Sequence, residues 1–558
     1  MSPARLSRRQ FCKRAAVGLA TIPLVSILAS SRPASSTQKA PPQGPAAYSL
    51  QCQDFRLVFD AASHLLECRH LPTNVALPVG GDACNWAHAG TTESDYVQQT
   101  TAVDVSPGVR DLLFDYGRGL RSRLRVTAHA HDLEFELLDV VGDCGSIRVF
   151  SATFLGLRDF NQVYGLDPLL DLGHGYFAGL VCANVQTDLF KYRDISAGWE
   201  QIGATSPADL PLPTHYARGQ KFAFFICREA ELRSRLVELE QRYGLPFGMS
   251  IKDRPENNVD YLFLLDDEGA SSQDIVDLCQ QTGLGNVNLF ADIWYDQADS
   301  SAPFALRPRA KRLAADLHAA GLLVGAHCLV HAVPASGYYA THYPEQVSST
   351  VSEDFRCYTF DNNLPETMAG DLAARVKELG IDWLYLDGAE YLFEDHGQRT
   401  VDLDWYARTR ISGAILRALR AEGVAPVIHQ QSSQGAGCYH FVSRSGQIDY
   451  WDGYPQAHDT PIRSMDEIAQ HVAPHLRRAF VTPDLGWFGR RIHVAGALRD
   501  RDATWAEWQH ICQASLQHNI PLGIRTTYSD FVTDPLHDAI VPLLRWTTRQ
   551  RRQRFAGR

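Results

Sequence analysis

The chain has 558 residues, 45% of them hydrophobic, with ten Trp, 21 Tyr and 25 Phe, enough for a large core and two or three domains. Such a composition excludes a disordered, collagenous or disulfide-stapled chain. The formal net charge of −11 argues against nucleic acid or an anionic membrane as a partner.

The first predicted element is an address. Ser7 to Lys13 (SRRQFCK) precede the apolar run AAVGLATIPLVSILA at 15–29. A basic start and a short apolar stretch describe an export signal, too short for a comfortable membrane span. The pair Arg8 and Arg9, with Phe11 and Lys13, has the look of a twin-arginine signal. A signal over 1–35 would take six positive charges and no acids with it, leaving the body at about −17. The mature protein is therefore expected in the periplasm or outside the cell. No stable membrane anchor is expected, because no second apolar run reaches about 18 residues. Eleven of the twelve cysteines lie beyond the signal, without C-x-x-C or zinc-ligand spacing, and are expected to be small buried apolar residues.

A Pro-rich linker at 36–47 leads into 48–228, where short alternating runs and turn signals predict an antiparallel β-sandwich. FRLVFD and HLLECRHL flank the turn DAAS, SRLRVTAHA and DLEFELLDVV follow, and KFAFFICRE closes the region. His129 and His131 fall on what is expected to be a solvated strand face. Within 229–255, AELRSRLVELEQRYGLP has helical period and stops at Gly244, with Pro246 just beyond, which predicts a connecting helix.

From 256 to 545 apolar runs alternate with helical patterns. Strands are predicted at 260–266, 286–294, 322–331, 381–387, 425–430, 446–451, 478–487 and 520–526. Helical patterns such as RAKRLAADLHAAG, AGDLAARVKELG, YARTRISGAILRALRAEG and WAEWQHICQASLQHN lie between several of them. The fold class is thus α/β, a (β/α)8 TIM barrel preceded by an N-terminal antiparallel β-sandwich. No G-x-G-x-x-G opens a helix, which argues against a dinucleotide-binding open sheet. The basic tail at 546–558 is expected to be a solvated helix end.

In a barrel the C-terminal strand ends line the active-site mouth. Asp387 ends IDWLYLD, with Glu390 on the loop above it. Asp292 and Trp294 end the second strand, and His327 and His331, four apart, share a face of the third. His429 and Gln430 end the fifth strand. Arg444, Asp449, Trp451 and Asp452 cluster around the sixth, Trp487 ends the seventh and Arg525 the eighth. Such a set suits a sugar: carboxylates, His and Arg bond hydroxyls, while indole faces stack on C–H surfaces. Glycoside hydrolysis uses two carboxyl groups, one protonated and one ionised. Asp387 and Asp449, expected on opposite walls of the mouth, suit a nucleophile facing an acid.

Plainer readings stand beside these. Asp387 before Gly388 is an ordinary strand-to-turn ending. Asp449 also reads as a loop cap, with Asp452 the alternative acid, and Glu390 as a loop residue or substrate contact. His327 and His331 read as packed histidines or, with Asp292, as metal ligands; Trp294 and Trp451 read equally as core aromatics. No G-x-S-x-G, Walker loop or H-E-x-x-H occurs.

Asp292 to Trp294, then GLLVGAHC, a longer crossover and IDWLYLDG resemble glycoside hydrolase clan D, families 27 and 36. The resemblance covers about residues 285–452 and the domain order. It implies a retaining α-glycosidase, α-galactosidase-like, with Asp387 as nucleophile, Asp449 as acid and Asp292 as a hydroxyl contact. The sequence departs from the family pattern at Ala291, where a second acid is usual, and at Tyr385, where a lysine is usual. Arg444 lies five residues before Asp449 where family 27 has four, which retains Asp452 as a candidate.

The expectation is an exported hydrolase of an α-linked oligosaccharide or polysaccharide, acting without metal or organic cofactor. The rivals are an inverting hydrolase or transglycosylase, a non-catalytic carbohydrate-binding protein, and a polysaccharide lyase. The acidic body disfavours the lyase's polyanionic substrates. Oligomeric state is left open.

Overall fold

A computed structural model describes residues 45–556 apart from 81–83, 88–93, 143–145, 157–168, 184–186, 195–197, 206–217, 244–258, 266–269, 290–300, 330–331, 348–354, 358–362, 388–403, 432–445, 450–481, 485–486, 489–490, 495–496, 503 and 519–520. The expected signal at 1–35 and most of the linker lie outside the described residues.

Residues 45–228 form three antiparallel sheets of four, seven and six strands. Alternating burial explains the strands: Phe55, Leu57 and Phe59 are buried in Phe55–Phe59, with Arg56 and Val58 only partly so. The expected hairpin pairs Phe55–Phe59 with Leu65–His70, and Leu120–Ala128 pairs with Asp132–Val141. The three sheets meet around Phe224, whose ring is 5.4 Å from Phe55 and 5.1 Å from Phe150. The strand Lys221–Arg228, which carries it, is the third strand of the seven-stranded sheet. His129 and His131 are not a bare strand face. They occupy the turn of the second hairpin, His131 Nδ1 3.0 Å from Asp54 and His129 Nε2 3.5 Å from Glu134.

The connecting helix α1 (Glu229–Tyr243) lies on this unit. Leu232, Leu236 and Leu239 pack against Leu169, Phe177, Val181, Ala223, Phe225 and Cys227. A polar seam flanks that contact. Arg235 donates to Asp54 at 3.2 Å, Arg242 donates to the fully buried Asp132 at 2.6 Å, and Tyr243 donates to Glu134 at 2.9 Å. The helix is therefore part of the sandwich unit rather than a free spacer.

Beyond it lie β1 (Tyr261–Leu264), β2 (Asn286–Leu289), β3 (Leu323–Leu329), β4 (Trp383–Asp387), β5 (Val427–Gln431), β6 (Gly446–Asp449), β7 (Thr482–Asp484), β8 (Trp487–Phe488) and β9 (Gly523–Thr526). They form one sheet in the order β7-β6-β5-β4-β3-β2-β1-β9-β8, every pair parallel. The expected strand at 478–487 is two short segments, β7 and β8, separated by residues 485–486 outside the described set. Helices α2 (Ser272–Thr282), α3 (Ala310–Ala319), α4 (Leu364–Leu379) and α5 (Asp404–Ala421) fill the crossovers from β1 to β5. Helix α6 (Trp505–His518) precedes β9 and α7 (His537–Ala556) follows it.

Each parallel strand serves two cores, because successive residues face opposite sides. Leu262, Leu264, Val287, Leu289, Val324, Ala326, Leu384 and Leu386 pack with the helices. Tyr261, Phe263, Trp383 and Tyr385, the alternate residues, form a separate aromatic cluster. The rings of Tyr261 and Trp383 are 4.7 Å apart, although β2 and β3 lie between their strands. Strands about 4.8 Å apart would put β1 and β4 about 14 Å from each other in a flat sheet. The sheet therefore curls around this inner cluster. At Gly325 a Cβ would stand 3.1 Å from both the Asn288 Cα and the Trp383 ring, so glycine alone fits without displacement.

The N-terminal strand ends are pinned by acids with partners. Asp260, before β1, accepts from Leu522 N at 2.8 Å and from Arg551 of α7, and both charged side chains are buried. Asp382, before β4, accepts from Val324 N at 2.9 Å and lies 2.8 Å from His318 of α3. The basic tail is thus not wholly solvated. Helix α7 runs unbroken through residue 546, and Thr547, Thr548 and Arg551 are buried in it. Seven described cysteines (Cys52, Cys68, Cys84, Cys227, Cys279, Cys328 and Cys512) are all buried, as the sequence predicts.

Candidate active site

At the other end of the sheet the register brings carboxylates to one level. Asp387 is the last residue of β4 and pairs with Leu329, the last of β3. Leu386 pairs with Gln430, so Asp387 and Gln431 follow at the same level. Gln431 pairs with Asp449, the last residue of β6, and Asp449 with Asp484, the last of β7. Leu329, Asp387, Gln431, Asp449 and Asp484 thus make a row across five adjacent strands.

Asp387 and Asp449 stand on strands separated only by β5, not on opposite walls. Two strand spacings put their Cα atoms about 10 Å apart. The sequence-based expectation placed β4 and β6 across the mouth from each other; pairing order makes them next-but-one neighbours.

One level below, His327 pairs with Tyr385 and Tyr385 with His429. His327 is buried, its ring stacked on Tyr385 at 5.5 Å and edge-on to Phe263 at 6.1 Å. Tyr385, also buried, packs edge-on to Phe263 at 5.6 Å. A lysine at this position would bring a charge into an aromatic stack, which burial penalises. Arg525 of β9 pairs with Phe263 and holds its guanidinium 6.0 Å from that ring's centre, within cation–π range. Trp487 pairs with Gly523, the first residue of β9, below the level of Arg525.

The register therefore places Asp387, Asp449 and His429 on neighbouring strands of one sheet, whose inner aromatic cluster is met by His327 and Arg525. Asp292, Trp294, His331, Glu390, Arg444, Trp451 and Asp452 lie outside the described residues. Sequence reasoning missed Asp484. The run RAFVTPDLGW reads as one strand ending at Trp487, which puts Trp487 rather than Asp484 at the strand end.

This architecture has counterparts among solved structures. An α-galactosidase of glycoside hydrolase family 36 from Geobacillus stearothermophilus, in complex with 1-deoxygalactonojirimycin, matches at 10% identity with a TM-score of 0.52, over 90% of this chain and 86% of its own. An α-N-acetylgalactosaminidase from Bifidobacterium bifidum matches at 11% identity with a TM-score of 0.55, over 91% of this chain and 93% of its own. A further structure of the first enzyme holds raffinose. At this identity the likeness is one of fold, and it spans both the sandwich and the parallel sheet. No family model and no curated protein sequence matches the chain.

Proposed function

We propose that the protein is an exported glycoside hydrolase that cleaves an α-linked oligosaccharide or polysaccharide with retention of configuration. The observation that carries this reading is the row at the C-terminal edge of the parallel sheet, with Asp387 and Asp449 level and one strand apart. The shared fold of the two α-glycosidases supports the reaction class, and the raffinose bound to one of them supports an α-galactoside as first substrate to try. The basic and apolar segment at 7–29 supports export. In this reading β7 and β8 together take the place of the seventh strand, and the sheet closes through them into a barrel whose mouth is that edge.

In the first step the Asp387 carboxylate attacks the anomeric carbon as the glycosidic C–O bond breaks. The proton of Asp449 passes to the leaving oxygen. The products are a glycosyl ester on Asp387 and a free alcohol. Water then adds to the anomeric carbon, gives its proton to Asp449 and frees Asp387. Retention needs carboxyl groups about 5 to 5.5 Å apart. Cα atoms about 10 Å apart leave room for that separation. Asp292, Arg444 and the tryptophans Trp294, Trp451 and Trp487 would hold the sugar.

The test is product stereochemistry. The mature protein and Asp387→Asn are incubated with aryl α- and β-glycosides, raffinose and stachyose, and the first sugar released is followed by NMR. An α-anomer from an α-glycoside, absent with Asp387→Asn, supports the reading. A β-anomer would leave an inverting hydrolase and remove Asp387 as nucleophile. Binding without turnover in both proteins would leave a carbohydrate-binding protein.

A further inference from the structure

Exposed apolar side chains are unevenly spread over the parallel-sheet unit. Among the described residues its large exposed hydrophobics are Trp505, Val532 and Trp546, all on the elements that flank β9. Trp505 opens α6, and exposed Gln509, Gln513 and Gln517 follow it at four-residue steps. Trp546 lies in α7, with half-buried Gln550 four residues on and exposed Gln553 three further. Residues three and four apart share one face of a helix. Each helix therefore carries a row that starts with an indole and continues in amides.

The two rows lie side by side on the outer wall. The Cys512 thiol is hydrogen-bonded to Thr547, and Arg554 donates to the Leu516 carbonyl, so α6 and α7 pack in the same direction. On the inward flank of that contact Trp508, Ile511 and Ser515 of α6 and Leu544, Thr548 and Arg551 of α7 are buried. Gln509, Gln513, Trp546 and Gln550 take the outward flank. Helix α6 leads down to the N-terminal end of β9, so Trp505, its first residue, stands towards the C-terminal strand ends, at the mouth. Trp546, one residue before Thr547, lies about 9 Å further down the wall, at about 1.5 Å per helical residue. Arg545 and Arg552 turn to the other flank of α7, donating to the carbonyls of Gln280 and Gly283. Arg549 borders the strip, whose own side chains carry no charge.

Indole rings stack on the C–H faces of sugars, and a carboxamide both donates to and accepts from hydroxyls. An uncharged strip on a chain with a net charge of −11 suits an uncharged ligand rather than a polyelectrolyte. We propose that the α6–α7 face is a second binding surface for the glycan, holding an uncharged polysaccharide that runs from the mouth down the outer wall. This rests on the reading of the protein as a glycosidase whose mouth is the C-terminal edge of the sheet, and it selects a polymer over a small oligosaccharide as substrate. A polymer held on the strip presents its other residues to the mouth at a raised effective concentration.

The test compares the wild type, the double variant Trp505→Ala with Trp546→Ala, and the double variant Trp505→Tyr with Trp546→Tyr. Each is run in native gels cast with galactomannan (a mannan with α-galactosyl branches), with an uncharged α-glucan, or with anionic pectate. Retardation of the wild type by an uncharged polymer, lost in the alanine variant and kept in the tyrosine variant, supports the proposal. On galactomannan the alanine variant should raise KM about tenfold at unchanged kcat, while kcat/KM for an aryl α-galactoside stays. Retardation of the wild type by pectate alone, or by none of the three, overturns the proposal, as does equal retardation of the alanine variant. A fall in molecular mass of the alanine variant by light scattering, with retardation kept, also overturns it and makes the face a contact between copies. Gel binding needs no turnover, so failure of the hydrolase reading shows separately. A protein that cleaves no glycoside but is retarded through both tryptophans keeps the strip and loses the hydrolase; an active enzyme whose retardation ignores them keeps the hydrolase and loses the strip.

Discussion

At the scale of single residues, the acids of the parallel sheet divide by which strand end they occupy. Asp260 and Asp382, at N-terminal ends, are partnered by Arg551 and His318 and tie backbone amides in place. Asp387, Asp449 and Asp484, at C-terminal ends, form a row in which no charged partner is paired beside Asp387. The first arrangement holds a fold, and the second suits chemistry. Replacing Asp449 with Asn is expected to lower the rate about 10²- to 10⁴-fold for a sugar leaving group, the range general acids contribute. For a nitrophenyl leaving group, which needs little protonation, the loss should be far smaller. Steady-state kinetics on the two substrates checks this. That Asp387 ends a strand was legible in IDWLYLDG, because an apolar run broken by Asp-Gly has few other readings. That Asp484 is level with Asp449 was not, since register is a relation between strands far apart in sequence.

At the scale of elements, helix starts and seams determine how firmly each unit holds. Ser271 caps α2 by accepting from Asp274 N at 3.1 Å, and Asp274 returns a bond from Ser271 N at 2.8 Å. Ser271→Ala should therefore cost about 1 kcal/mol, read as a shift in the chemical denaturation midpoint. The seam between α1 and the sandwich is pH-dependent through Glu134. Burial pushes its carboxyl up, but hydrogen bonds from Lys221 and Tyr243 outweigh burial and hold it below the usual glutamate range. A carboxylate depressed in the folded state stabilises above its unfolded value of about 4.3, and that part is lost as pH falls through the folded value. The stability gap between wild type and Glu134→Gln should thus be full near pH 6 and shrink below about pH 4. Denaturation curves across that range would show it. The helix itself was legible from its period and its Gly244 stop. Its attachment was not, because the leucines that give the period do not say which sheet receives them.

At the scale of the whole molecule, the C-terminal helix locks the parallel sheet from beneath. Arg551 reaches Asp260 across almost the entire length of that unit, and both are buried. Removing one partner of a buried pair leaves an uncompensated charge, at a cost of about 3 to 5 kcal/mol. Arg551→Leu is therefore expected to lower stability by that amount, and the double variant Asp260→Leu with Arg551→Leu to recover much of it. Equilibrium unfolding of the three proteins gives the coupling directly. Gly283, the C-cap of α2, has a positive φ of 79° and a Cβ position 2.3 Å from Thr548 Oγ1 of α7. The glycine thus serves both the helix end and the docking of α7.

By itself the sequence determined the alternation of strand and helix after residue 255 and the last residues of two strands, Asp387 and Thr526. These follow from local periodicity and from glycine and proline signals, which neighbouring residues carry between them. Tertiary structure alone decided that β4 and β6 are separated by one strand, that Asp484 joins the row, that His327 stacks on Tyr385, and that Arg551 is buried. Each of these is a contact between segments tens to hundreds of residues apart. It is settled by pairing register and side-chain packing, neither of which leaves a mark in a window of sequence.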